Sequence, residues 1–271
     1  MTTKIESAWS LTKHLLSIRE SDFEAATQSP FLRAAGEGRL QKDILGKWLA
    51  NDRLYIHAYI KAAARTLAVV DLPQTTQASD ASETLLVDWL LESLVALRRE
   101  ERLFIDVAKR YGLAVDLETT AMTEGGREDP RVPGTAKLPG LVMFERLFGS
   151  LHPAGTVDRT APLPWLEAAV VFWGTEKVYL EAWRWARSHQ EAVTEGAKDV
   201  DGGALRDEFI PNWSNNDFAD FVERLTGVID RAVADTLGRM GDGAKGSFVQ
   251  RTERLWIDLL AAESAFWPSL D

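Results

Sequence analysis

An all-helical fold is the architecture this sequence predicts, and three observations carry it. Long stretches contain neither proline nor glycine, although the chain holds 10 prolines and 19 glycines. Within those stretches apolar residues recur at the i, i+3, i+4, i+7 spacing that marks one face of a helix. Strand signals are weak: there is no alternating run of five or more residues and no Asn-Gly hairpin turn.

The elements follow in chain order. A first helix is expected from about Ile5 to Ile18 and a second, long and free of breakers, from Lys47 to Val70. A third runs from about Glu83 to Tyr111 and stops at Gly112, because glycine takes the left-handed conformation that ends helices. Further helices read from Leu141 to Phe148, Pro164 to Ser188, Asn216 to Arg239 and Ser247 to Trp267, with Asn215, Asn216 and Asp217 offering N-cap chemistry. Gly36-Glu-Gly38, Gly202-Gly203 and the run from Gly241 to Ser247 read as turns. The last of these superficially resembles a phosphate loop, but its Gly-Lys-Ser order is wrong and no strand precedes it. Two stretches, about 118–140 and 149–164, are rich in Gly, Pro and charge and long for helix connections. The apolar faces on either side of them are too wide to be satisfied separately. The expectation is one helical domain over residues 1–271 carrying two surface insertions.

Composition narrows the function. With 31 basic and 41 acidic residues the formal charge is −10, and no Lys/Arg cluster compensates locally, so neither a nucleic acid nor an anionic membrane is an expected partner. Cysteine is absent, which excludes disulfide scaffolds, thiolate metal sites and thiol nucleophiles. No apolar signal region opens the sequence, and no stretch reaches the about 18 apolar residues of a membrane span, so a cytoplasmic protein is expected.

Metal motifs are missing. The four histidines, His14, His57, His152 and His189, are preceded at minus three by Leu11, Leu54, Gly149 and Ala186, so the Glu-x-x-His pairs of di-iron bundles do not occur. His-Glu-x-x-His and Gly-x-Ser-x-Gly are absent too, and no metal site is expected.

What stands out is the placement of three acids. Trp48, Asp52, Tyr55 and Tyr59 follow i, i+4, i+7, i+11, so a carboxylate lies within an aromatic helical stripe. Phe172, Glu176, Tyr179 and Trp183 repeat the spacing, and so do Trp256, Leu260, Glu263 and Trp267. A lone acid on such a stripe is usually a boundary residue that reaches water or pairs with a base. Here no basic residue shares the stripes, and burying an unpaired carboxylate costs several kcal/mol. If all three point inward they line a polar pocket with aromatic walls. Such a pocket suits a flat, nitrogen-rich, cationic ligand, and it would raise carboxyl pKa values toward the range of general acid and base work. Glu100 or Glu101, near Leu97 and Phe104, is a fourth candidate, but Arg98, Arg99 and Arg102 surround it and favour a solvated face.

At these same stretches the sequence resembles the TenA family, thiaminase II and related aminopyrimidine hydrolases, whose members have a haem-oxygenase-like multi-helical bundle. The matches are Ser29-Pro-Phe-Leu-Arg-Ala-Ala-Gly-Glu-Gly-Arg-Leu followed by Trp48-Leu-Ala-Asn-Asp-Arg-Leu-Tyr55; Phe172-Trp-Gly-Thr-Glu-Lys-Val-Tyr179; Asn212-Trp-Ser-Asn-Asn-Asp-Phe218; and Glu263-Ser-Ala-Phe-Trp267. The second is similar to the Phe-Trp-x-x-Glu-x-Val-Tyr stretch of the family's glutamate-type branch. The resemblance implies hydrolysis at the 5-methylene substituent of a 4-amino-2-methylpyrimidine in thiamine salvage, without metal or organic cofactor. It implies that Asp52 hydrogen-bonds the pyrimidine with Tyr55 beside it, that Trp213 packs on the ring, and that Glu263 is the acid/base. Glu176 would replace the cysteine nucleophile of the better-known branch, with Tyr179 holding it, and Tyr59 completes the expected substrate-binding set. Asn51 and Trp213 stand where Gln and Tyr are commoner. The substrate would be the aminomethyl pyrimidine or its N-formyl derivative.

Two other functions fit the same sequence. One is a non-catalytic or regulatory member that binds an aromatic ligand; the other is a redox relative holding haem or a quinone, with His14 as axial ligand. His57 falls off the Asp52 face. Trp9, Trp89, Trp165 and Trp185 read as core or interface packing, and relatives of this kind are commonly homo-oligomers.

Overall fold

The computed structural model describes residues 9–76, 80–124, 127–152, 163–190, 198–239 and 242–270. Three short helices open it: α1 (Leu11–Ser17), α2 (Glu20–Thr27) and α3 (Pro30–Gly36). Ser10 caps α1 by accepting from the Lys13 amide, and Ser29 does the same for α3, where Pro30 occupies the first turn and needs no amide partner. Residues 5–8 of the expected first helix lie outside the described residues. From Leu11 the helix is present, and α2 and α3 follow where no separate helix was expected. Asp230 of α9 (Asn216–Leu237) ties α1 down, accepting from Ser10 Oγ at 2.6 Å, the Thr12 amide at 3.0 Å and Thr12 Oγ1 at 2.7 Å.

The long helices match the expected ones to within a few residues: α4 spans Lys42–Leu67 and α5 spans Ser82–Tyr111. Gly112 ends α5 with φ 66°, the left-handed conformation expected of it. After α5 the chain adds something the sequence did not announce. Strands β1 (Thr120–Glu124) and β2 (Arg127–Arg131) pair antiparallel, with Thr120 opposite Arg131 and Met122 opposite Asp129. Part of the 118–140 insertion is therefore a pair of antiparallel strands rather than an irregular loop, while the fold class stays all-α. The segment then returns to the body, where the Leu138 amide donates to Asn51 Oδ1 at 2.8 Å and opens α6 (Pro139–Ser150). Buried Asn51 thus works as a fastener between α4 and α6. Of the second insertion, residues 153–162 lie outside the described residues.

The remaining helices are α7 (Leu166–Ser188), α8 (Ile210–Trp213) after a π-helical turn at Ala204–Phe209, α9, and α10 (Asp242–Ser264). Asn215 caps α9 by accepting from the Phe218 amide at 2.8 Å. Of the run from Gly241 to Ser247, read as a turn, Gly241 lies outside the described residues and the part from Asp242 onward is the start of α10, where helix context overrides the low propensity of its glycines. At its other end α10 stops at Ser264, so Trp267 lies beyond the helix and buries its ring by donating to the Ala26 carbonyl at 2.7 Å.

Helix α7 sits centrally, packed on α2, α3, α9 and α10, while α4 packs on α5 and α6, and α6 on α10. Helices before and after the insertions thus share one core. Gly140 permits one of the close approaches, since a Cβ there would meet the backbone of Phe266 at 2.3 Å and of Ala262 at 2.5 Å. Among the described residues no helix is long and apolar enough to cross a membrane.

Candidate active site

All three acid-bearing stripes face inward. Asp52 and Glu263 are buried, and Trp48, Tyr59, Phe172, Trp183 and Trp256 are wholly so. Glu176 and Tyr179 are half-buried, as expected of groups that meet a cavity, and so is Tyr55. Rigid rings fill the space between the helices. Trp48 contacts Phe31, Trp183, Trp213 and Trp267, and Trp183 lies 4.4 Å from Trp213 between ring centroids. Phe209 stacks on Trp213 at 4.8 Å with an interplanar angle of 10°. These rings leave Trp213 little freedom, so the edge it turns outward is fixed.

A cavity of about 500 Å³ opens beside this aromatic block, between α5, α7, α8 and α9, with Glu100, Glu176, Tyr179 and Trp213 on its wall. That volume suits a small heterocycle. Behind the wall the Tyr179 hydroxyl donates to Asp52 Oδ2 at 3.3 Å, which links the cavity to the buried aspartate of α4. Tyr59 stands beside Glu176, and its hydroxyl accepts from Ser93 Oγ at 3.3 Å. Tyr55 packs edge-on to Phe144 at 4.9 Å and next to Tyr59 at 6.1 Å, so it supports the site from the α6 side and does not line the cavity. Asp52, Tyr59 and Glu263 are likewise behind the cavity wall rather than on it.

The carboxyls are mutually coupled. Burial pushes Glu176 up to about 8, partly offset by the Tyr59 hydroxyl beside it, while the negative charge of Glu100 adds to the rise. Burial also holds Asp52 well above the usual carboxylate range, reinforced by Glu100 and Glu176. Glu263 is raised in the same way, by burial first and then by Asp52 and Glu176. Loss of hydration disfavours the charged form, and each neighbour's charge disfavours it further. These carboxyls therefore keep their protons to higher pH than ordinary ones do, which brings them toward the range of general acid and base work.

Comparison with known proteins places this architecture. No family model matches the chain. A TenA homologue from Pyrococcus furiosus aligns with a TM-score of 0.63 and 20% identity, covering 95% of this chain and 98% of its own. A TenA family transcription regulator from Silicibacter sp. TM1040 also gives 0.63, at 15% identity over 96% of both chains. A TenA homologue from P. horikoshii OT3 gives 0.63 at 16% identity, over 96% of this chain and 97% of its own. The chain has the fold of the TenA homologues. A curated protein of Fusarium pseudograminearum (strain CS3096), named "Probable transcription factor", is 26% identical over 92% of this chain. The chain spans 51% of the length of that relative.

Within this TenA-type fold two acidic residues, Glu100 and Glu101, depart from the expected solvated face. Glu100 is not on a solvated face: its Oε1 accepts from Trp213 Nε1 at 2.6 Å, and burial pushes its carboxyl up to about 7. Of the neighbouring arginines, Arg98 serves Glu101 instead. Buried Glu101 pairs with Arg98 and with His57 Nε2 at 2.8 Å, and Arg53 Nε lies 3.8 Å away. The signal for Glu100 was present, because Ser93, Leu97, Glu100 and Phe104 have the same i, i+4, i+7, i+11 spacing as the other three stripes. Adjacent arginines on a helix point to different faces and do not describe the face Glu100 occupies.

The histidines stand apart from the cavity. His14 bonds to Glu253 Oε1 at 2.7 Å and lies 5.7 Å from the Trp9 ring, in a separate groove between α1 and α10. Trp89 and Trp165 are core residues, Trp185 is half-buried, and Trp9 is exposed.

Proposed function

We propose that the chain is a glutamate-type member of the TenA family that hydrolyses a 4-amino-2-methylpyrimidine at its 5-methylene substituent, the aminomethyl compound or its N-formyl derivative. The observation that carries this reading is Glu176 on the cavity wall with its carboxyl raised to about 8 and coupled to the Asp52 group behind Tyr179. The pattern matches the resemblance read from Phe172-Trp-Gly-Thr-Glu-Lys-Val-Tyr179, and the fold agrees with it.

In this reading Tyr179 meets the pyrimidine's nitrogens with Asp52 holding its hydroxyl from behind, the edge of Trp213 packs against the ring, and Tyr55 and Tyr59 hold the surrounding groups. Glu176 attacks the methylene carbon in its ionised form, the smaller but populated fraction at neutral pH for a carboxyl near 8. An O–C bond forms as the C–N bond breaks, and the electron pair leaves on nitrogen, which takes the proton of Glu263. Water then adds to the same carbon, its proton passing to Glu263, and Glu176 departs as a carboxylate. The balance is amine plus water giving alcohol plus ammonia, with no metal or organic cofactor. Leu91 and Val95, one turn apart on α5 and about half exposed, are the apolar surface that a second copy would cover in a homo-oligomer, which a sizing column tests.

A non-catalytic, ligand-binding role is the alternative, favoured by the transcription-related names of the Silicibacter and Fusarium proteins. The net charge of −10 speaks against direct DNA contact. The test is release of ammonia from 4-amino-5-aminomethyl-2-methylpyrimidine by the purified protein. Turnover supports hydrolysis, whereas calorimetric binding without turnover supports the alternative.

A further inference from the structure

Glu100 has no part in the reaction just described, yet it lines the same cavity as Glu176. Its Oε1 is held by the Trp213 indole at 2.6 Å, and Trp213 is locked by Phe209, Trp48 and Trp183. A side chain fixed this firmly presents its carboxyl to the cavity as a preformed feature. The charged groups around it come from four helices: Asp52 on α4, Glu176 on α7, Asp217 at the start of α9, and Glu92 and Arg99 on α5 itself. Glu92 is engaged with Arg224 at 2.7 Å, and Arg99 is exposed at the rim. Four acids and one base therefore line the cavity wall. An anion or a second carboxylate would be repelled there, whereas a cation would relieve the repulsion between Glu100 and Glu176.

The geometry points to Glu100 as a specificity-determining residue that, together with Glu176, holds the substrate's primary amine as an ammonium ion, so that the cavity selects the free aminomethyl compound over its neutral N-formyl counterpart. This deepens the hydrolase reading and rests on it for the identity of the ring. An amine bound as an ammonium leaves as ammonia on its own proton, so Glu263 then serves the water step alone, starting as a carboxylate and passing the proton of water on to the released ammonia. With Glu100 near 7 and Glu176 near 8, the pair gains charge across neutral pH, and preference for the cation rises with it until the amine itself deprotonates.

Binding without turnover tests this directly. Calorimetry in a Glu263→Gln background, in which the hydrolase reading leaves too little turnover to disturb the titration, compares 4-amino-5-aminomethyl-2-methylpyrimidine with its 5-hydroxymethyl isostere, which has the same ring and no charge. The expected result is at least ten-fold tighter binding of the amine at pH 7.5, with the preference shrinking at pH 6. Glu100→Gln, which keeps an acceptor for Trp213, is expected to lose most of that preference while binding the alcohol within about two-fold of the background protein. Equal affinities for amine and alcohol, no binding of either, or an unchanged preference in Glu100→Gln would each overturn the inference. Selective amine binding in this background, with no ammonia release by the unsubstituted protein, would leave the inference standing and sink the hydrolase reading instead.

Discussion

Replacing Glu176 by Gln should make the protein more stable at alkaline pH and leave it almost unchanged at acid pH. The carboxyl stands near 8 in the folded protein against an ordinary 4.5, so the native state keeps a proton that the unfolded chain gives up. A raised pKa of this kind gives full stability below about pH 4.5, and stability then falls as pH rises through about 8. At pH 7.5 the gap of 7.5 − 4.5 = 3 units sets a ceiling of about 4 kcal/mol, since each unit is about 1.4 kcal/mol. Glu176 is partly open to the cavity, and solvent screening reduces the figure to about 2 kcal/mol. For a chain of this length that corresponds to a rise in Tm of about 4–8 °C. Thermal melts followed by far-UV circular dichroism at pH 5 and pH 8 measure it. The same Tm difference at both pH values, or a larger one at pH 5, would refute the account of Glu176 as a group held above its normal pKa.

Two further outcomes follow from the packing and the charges. Gly140→Ala should destabilise the protein by about 1–3 kcal/mol, because the new methyl meets backbone rather than movable side chains, and chemical denaturation should show the loss. Glu101→Gln should cost about 1–3 kcal/mol in the same measurement by weakening the pairing with Arg98 and His57, yet leave the amine preference intact. A loss of that preference would mean that Glu100 and Glu101 act as one unit.

The long helices were legible because their inward faces are apolar at strict helical spacing over many turns: the α4 stripe from Trp48 to Tyr59 and the α7 stripe from Phe172 to Trp183 both point where the period places them. Helix α2 was not, because Ala26 and Thr27 are its only buried residues and Arg19, in the left-handed conformation at φ 59°, opens it without a side-chain cap. The strand pair escaped notice because the polar stretch Arg127-Glu-Asp-Pro-Arg131 has no apolar alternation to announce a strand. At Gly241–Ser247 local glycine content argued for a turn, while from Asp242 the helix that continues to Ser264 settles the conformation. Within the candidate site the inward direction of Asp52, Glu176 and Glu263 could be read from the sequence. Glu100 could not be separated from Glu101 by charge counting, since the two differ only in which helix face meets Trp213 and which meets Arg53 and His57.

The central claim, that paired buried glutamates run the hydrolysis, is tested most directly by ammonia release from 4-amino-5-aminomethyl-2-methylpyrimidine in Glu176→Gln and Glu263→Gln, with helical circular dichroism as the control for folding. Each substitution is expected to lower the rate by about 10²–10⁴-fold with the helical signal unchanged. Full activity in either variant would contradict the account.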